Sequence, residues 1–242
     1  PSKAQRAVWK WWQEFWTKWV PEVTHGEPYF VVCNGDALDG VHHRATHQIS
    51  HNLTDQSRIA RAVLKPVVTA NKCAGYYHIR GTEAHVGPSG AEEEDLAESL
   101  GALPNSDGQH ARYDLWLQIN HRLVHFLHHV GTTGSNAYEA TAVAKELCEE
   151  LTEAARWRDQ PPDIIVRAHR HRNIEIRVPT ANGYGIACVT PGWQLKTPFT
   201  WKIAGARLAP PQFGGVLIRH GDDDFYTRSF VKVIERSDCE TA

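Results

Sequence analysis

A chain of 242 residues that is 41% hydrophobic and 22% charged is long enough for one large domain with its own core, and its composition is that of an ordinary globular protein. A formal net charge of −2 excludes the chain-wide basic field that holds nucleic acid non-specifically. No apolar run reaches membrane length and no secretory signal is visible, so the expectation is a protein with no membrane contact.

Residues 2–20 carry Val8, Trp11, Trp12, Phe15, Trp16 and Trp19. The three- and four-residue steps predict one apolar helical face, capped by Ser2 and stopped by Pro21. Core packing against a sheet explains this stripe better than a base-stacking surface does. Residues 29–34 form a short apolar run that breaks at Gly35-Asp36, which predicts a buried strand with a carboxylate at its end. Ligands in open α/β sheets bind outside the carboxyl ends of strands, so Asp36 is a candidate site residue. A strand-end Asp beside Gly is as often a turn or cap residue. Residues 41–57 hold His42, His43, His47 and His51. They would line the same mouth, although a solvated loop leading into a helix is the plainer reading. Residues 56–70 read as a helix with Ile59, Val63, Leu64 and Val67 inward and Pro66 as an awkward interior residue.

A second strand over residues 75–80 ends in Gly81-Thr82-Glu83-Ala84-His85. Residues 91–100 read as an acidic helix. Its Glu92-Glu93-Glu94-Asp95 cluster suits the N-terminal end of the dipole, a role in stability that is preferred to metal binding. Residues 113–119 and 122–127 predict two paired strands around Asn120-His121, the second ending in His128-His129. A helix over 137–157 follows, and Pro161-Pro162 breaks the chain. The buried strand at 163–167 ends in Ala168-His169-Arg170-His171. Histidines two apart in an extended segment face the same side and can share a metal. Strands at 174–178, 184–189, 214–219 and 225–234 make the C-terminal half β-rich. Trp193, Phe199 and Trp201 lie in a connection that would cover the site or pack beside it.

The chain has fifteen histidines and five cysteines. The cysteines are scattered, odd in number and without CxxC spacing, which suggests reduced thiols in a cytoplasmic setting and argues against a Cys-based zinc site. Carboxylate and imidazole donors without thiolate suit zinc, manganese or iron. Two such ions about 3.5–4 Å apart would clamp a phosphoryl group and supply a hydroxide nucleophile. An Asp whose two oxygens each reach one ion is the natural bridge. The sequence contains no methionine, so the expectation is that it starts downstream of the true initiation point.

The segment order resembles the calcineurin-like metallophosphoesterases, in their phage-type form. That family's motifs run Asp-x-His, Gly-Asp-x-x-Asp, Gly-Asn-His-Asp/Glu, a lone His and Gly-His-x-His. Gly35-Asp36-Ala37-Leu38-Asp39 matches the second, His128 the fourth, and Ala168-His169-Arg170-His171 the last, with Ala for Gly. The resemblance implies an α/β fold, a four-layer α/β/β/α sandwich with two central mixed sheets, in one domain over residues 1–242. It implies two divalent transition-metal ions, with Asp36 bridging, His128 and His169 on the second metal and His171 on the first. In the third motif Thr82 stands at the Asn position, so Glu83 is the expected replacement ligand and His85 the group that serves the leaving oxygen. No Asp-x-His strand precedes the Trp-rich helix, and the expectation is that it lies upstream of Pro1. The implied activity is metal-dependent hydrolysis of a phosphate ester by a metal-bound hydroxide. A phosphodiester, nucleotide or nucleic acid, is favoured, with Arg80 and Arg170 on the substrate and Arg172 beside them. The alternative is a degenerate, non-catalytic member that binds nucleic acid or a protein.

Overall fold

The computed structural model describes residues 1–42, 46, 48–131, 135–181, 183–202, 209–221 and 225–234; His43 and His47 lie outside them. The chain opens with α1 (Lys3–Glu14), whose Ser2 cap is a full capping box. The Ser2 hydroxyl accepts from Gln5 N at 3.1 Å, and the Gln5 side chain accepts from Ser2 N at 2.7 Å. Pro21 does not stop this helix. A π turn over Phe15–Trp19 shifts the bonding frame, so that Val20 N donates to Phe15 O, and the helix resumes as α2 (Val20–Val23) with Pro21 in its first turn. A proline is tolerated there because no intrahelical donor is required of it. The end comes at His25 and Gly26, both left-handed at φ 53° and 72°.

Next come β1 (Tyr29–Asn34), α3 (Leu53–Val68), β2 (Cys73–Ile79), the one-turn α4 (Glu83–Val86), α5 (Ala91–Ser99) and β3 (Ala111–Arg112). The second half holds β4 (Asp114–Ile119), β5 (Arg122–Leu127), α6 (Glu139–Trp157), β6 (Ile164–Arg167), β7 (Ile174–Thr180), β8 (Gly183–Val189), β9 (Gln212–His220) and β10 (Phe225–Val233). The first sheet, β1-β2-β3, is wholly parallel, because each of its connections crosses over through helices. Mixed pairing is confined to the second sheet, ordered β4-β5-β6-β8-β7. β9 and β10 form a separate hairpin.

Strand alternation sorts the apolar residues into layers. Val31 and Tyr76 pack outward against Ala60 and Val67 of α3 and Leu96 and Ala97 of α5. Their neighbours Val32 and Tyr77 face inward, with Ile79, onto Leu115, Val124, Phe126, Ile164, Val166, Ile186 and Cys188 of the second sheet. Ile165, Ala187 and Val189 point the other way, onto Val143 and Leu147 of α6. The result is the expected α/β/β/α sandwich. Ile164 and Ile165 are both fully buried, on opposite faces, and each contributes about 1.5–3 kcal/mol by leaving water.

The tryptophan stripe packs as a core face. Phe15 and Val20, with Trp16 and Trp19, lie against Phe230 of the hairpin and Trp193. The expected inward face of α3 needs one correction. Ile59 is exposed and Gln56 is buried instead, because the Gln56 amide bonds the backbone of Gly40 and Ser50. Among the described residues no helix is long and apolar enough to cross a membrane.

Candidate metal centre

The ends of β1, β2, β5 and β6 converge. His128, just past β5, donates Nδ1–H to the carbonyl of Asn34 at 2.6 Å, and the Asn34 amide donates to Leu127 O at 3.2 Å. These bonds tie the two sheets together at the site. Close approach depends on glycine. A Cβ on Gly35 (φ 86°) would lie 2.3 Å from His128 Nδ1, and one on Gly81 would lie 2.2 Å from Asp36 Oδ1.

Asp36 is the hub. It adopts a left-handed φ of 55°, a conformation that Asp tolerates better than most residues. Its Oδ1 accepts from Thr82 N at 2.7 Å and Thr82 Oγ1 at 3.1 Å. Its Oδ2 faces three imidazoles: His128 Nε2 at 2.9 Å, His85 Nε2 at 3.8 Å and His169 Nδ1 at 3.9 Å. Burial alone would raise the Asp36 carboxyl, but the facing imidazoles of His128, His169 and His85 hold it far below the carboxylate range. Burial likewise pulls His128 down, and Asp36 more than reverses this. His128, His129 and His169 meet ring to ring at 5.3–5.4 Å.

Asp36, His128 and His169 each offer one ligand atom, all within 4.8 Å of one another; Asp39, His42 and His85 form a second such group. The first set fits a divalent cation. With its Nδ1–H given to a carbonyl, His128 presents the Nε2 lone pair, and that buried nitrogen has no aligned hydrogen-bond partner. Backbone-oriented imidazole beside a carboxylate is the usual construction of a protein metal ligand set.

The loops carrying these ligands are braced from beneath by Glu93. This residue is fully buried, 3.0 Å from His78 Nε2. It accepts from Ala37 N at 3.1 Å and from Gly81 N at 2.6 Å. Tyr76 Oη lies 2.5 Å from His78 Nδ1 and continues the buried chain. Glu94 accepts from the backbone of His110 and Ala111. Half of the acidic cluster on α5 therefore points into the protein. An acidic run at a helix start carries no sequence signal for this; the one available hint is that α5 follows directly on the second ligand-bearing loop.

Of the expected site residues, Asp36, His128 and His169 come together, and His85 lies beside them. Glu83 does not join them. It starts α4 exposed to solvent, and Thr82 takes the inward position through its bonds to Asp36. His169 and His171 do not sit on one side of an extended segment. Both are left-handed, at φ 66° and 51°, so the segment is not extended there. His171 belongs to neither donor group; its ring lies against Gly192, where a Cβ would meet Cδ2 at 3.0 Å. Burial pushes its pKa down to about 4 against the pull of Asp36, helped by His169, His85 and His128. Arg80 is engaged by Glu94 at 3.4 Å and stacks on Tyr113 at 4.8 Å. Arg170 donates to the carbonyls of Gly131 and Glu139, and Arg172 pairs with Glu139 at 2.9 Å. Reading the sequence alone gave Asp39 no role, although it closes the Gly-Asp-x-x-Asp motif.

No protein-family model matches the chain, and no curated protein matches it. Among solved structures, the chain is similar to a single mutant of Vps29 from Entamoeba histolytica at 9% identity and TM-score 0.37, covering 90% of this chain and 89% of that one. It is also similar to Vacuolar Protein Sorting 29 from Cryptosporidium parvum at 11% identity and TM-score 0.33, covering 84% of this chain and 96% of that one. Likeness at this level assigns neither a family nor a function.

Proposed function

We propose that the chain is a divalent-cation-dependent phosphoesterase whose site is built on Asp36, His128 and His169. The observation that carries this reading is the convergence of the Asp36 carboxylate with two imidazoles at the ends of strands from both sheets. A manganese, zinc or iron ion held there would polarise a phosphoryl oxygen and lower the pKa of water. The chain's own residues supply the rest. Asp36 carries the negative charge, fixed by Thr82. His128 is held in one tautomer by Asn34. His169, the most exposed of the three, faces the incoming ester. Phosphodiesters, including nucleotides and nucleic acid, remain the favoured substrate class, because His129 and His169 add two exposed imidazoles beside the buried His128.

A second reading has support of its own: the same cation site without turnover, in a module that binds a protein partner. The guanidinium groups of Arg80 and Arg170 are engaged elsewhere, so neither is presented to a phosphate.

The test is hydrolysis of a bis(p-nitrophenyl) phosphate reporter by the full chain after chelation and reloading with manganese. Manganese-dependent turnover lost in His169→Ala supports the enzyme. Stoichiometric manganese binding with no turnover supports the binding module. Turnover unchanged in His169→Ala overturns the assignment of the site.

A further inference from the structure

Next to the Asp36 group lies a second set of donors. Asp39 Oδ1 is 3.7 Å from His42 Nε2, the His42 and His85 rings meet edge to face at 4.7 Å, and one ligand atom from each of the three falls within 4.8 Å of the others. Their placement is constrained from several directions. His85 donates Nδ1–H to the Asp39 carbonyl at 2.8 Å, so its lone pair resides on Nε2. Gln194, just beyond β8, donates to Asp39 Oδ1 at 3.1 Å and orients that carboxylate. Gly40, at φ 75°, lets the turn touch α4, since a Cβ there would come within 2.5 Å of Ala84 O and 2.7 Å of His85 Cα. The three side chains are 11–32% exposed, sheltered but reachable by a small ion.

We propose that Asp39, His42 and His85 form a second divalent-cation position, adjacent to the one on Asp36. The two positions meet at His85, whose Nε2 lies 3.8 Å from Asp36 Oδ2. One carboxylate oxygen and two imidazole nitrogens favour manganese, zinc or iron over calcium or magnesium, which prefer all-oxygen sites. On this assignment His85 is a ligand rather than the proton donor to the leaving group. The pair of positions is then completed by the turn after β1 and by α4, without His171. The inference rests on the proposed cation site at Asp36, and the experiment separates the two.

The experiment is elemental analysis of manganese bound to the full chain after chelation, reloading and gel filtration, paired with electron paramagnetic resonance of the same samples. The expected result is two equivalents in the wild type with an exchange-coupled signal. His42→Ala and Asp39→Asn each bind one equivalent, with a six-line mononuclear spectrum. His128→Ala also retains one. Asp39→Asn keeps the size and hydrogen-bonding capacity of the side chain, so it reads the ligand even if His42→Ala fails to fold. A wild type with one equivalent, lost in His128→Ala and kept in His42→Ala, overturns this inference and leaves the Asp36 site standing. Two equivalents that survive both His42→Ala and Asp39→Asn overturn it as well. No bound manganese overturns the Asp36 site and this inference together.

Discussion

The Glu93 carboxylate lies 3.0 Å from His78 Nε2, with both side chains fully shielded from solvent, and the same carboxylate holds Ala37 N and Gly81 N. One residue on α5 thus sets the spacing between the loop that carries Asp36 and the loop that carries Thr82 and His85. Glu93→Ala leaves a buried imidazole and two backbone donors without partners, and a loss of about 3–5 kcal/mol is expected. Glu93→Gln keeps an acceptor for one loop but turns its amide N–H₂ toward the other, at about 1–3 kcal/mol. Urea denaturation measures both. The gentler variant should also bind manganese more weakly, by about 10–100-fold, as supporting residues around a metal do. Unchanged manganese affinity in Glu93→Gln would mean that the brace serves stability alone.

Asp36→Asn preserves shape, accepts the left-handed backbone at φ 55° and retains an acceptor for Thr82, but it removes the charge that the three imidazoles face. The fold should survive and manganese affinity should drop at least about 100-fold. Calorimetric titration beside far-UV circular dichroism distinguishes this outcome from simple unfolding.

Gly81→Ala would place a methyl group 2.2 Å from Asp36 Oδ1 and 2.3 Å from Asp36 N. The expected cost is about 1–3 kcal/mol, with loss of cation binding as the two loops are forced apart. Gly108→Ala is the control: no atom lies within 4 Å of its Cβ, and only its φ of 82° is strained. That variant should lose about 1–2 kcal/mol and bind manganese normally.

Acid sensitivity should trace partly to Glu150. Burial alone would raise its carboxyl, but the His125 hydrogen bond at 2.8 Å and the Arg167 guanidinium at 3.0 Å outweigh this and lower it. A carboxyl whose folded pKa is depressed contributes stability above its unfolded value, about 4.3, and that contribution disappears as pH falls through the folded value. Glu150→Gln should therefore be less stable than the wild type at pH 7, with the gap narrowing between pH 5 and pH 3. Unfolding free energies measured across that range provide the check; a gap independent of pH would place the effect in packing instead.

The layers of the fold were legible because alternation in the strands is written in adjacent residues: Val31 and Val32, Tyr76 and Tyr77, Ile164 and Ile165. The strand-end position of Asp36, His128 and His169 followed from apolar runs that stop at glycine or histidine. Other features depend on contacts remote in the chain. Glu93 looks like one more solvated acid until His78 and Gly81 are seen to surround it. Ile59 satisfies the helical period but loses its inward place to Gln56, whose partners lie on another loop. The left-handed backbone at His169 and His171 has no local marker, since histidine adopts it only when surrounding structure imposes it. Pro21 misleads because a π turn upstream changes which donors the helix needs.

The contact between the first helix and the C-terminal hairpin has an optical consequence. Trp11, Trp12, Trp16, Trp19 and Trp193 gather along that seam, and they are five of the nine tryptophans in the chain. Phe15 stacks on Trp19 at 5.1 Å, and Phe230 closes on both. Most of the intrinsic ultraviolet emission therefore originates at this seam, where Trp193 sits between Gly192, against the His171 ring, and Gln194, which bonds Asp39. A red shift of that emission would report the hairpin peeling away from the helix.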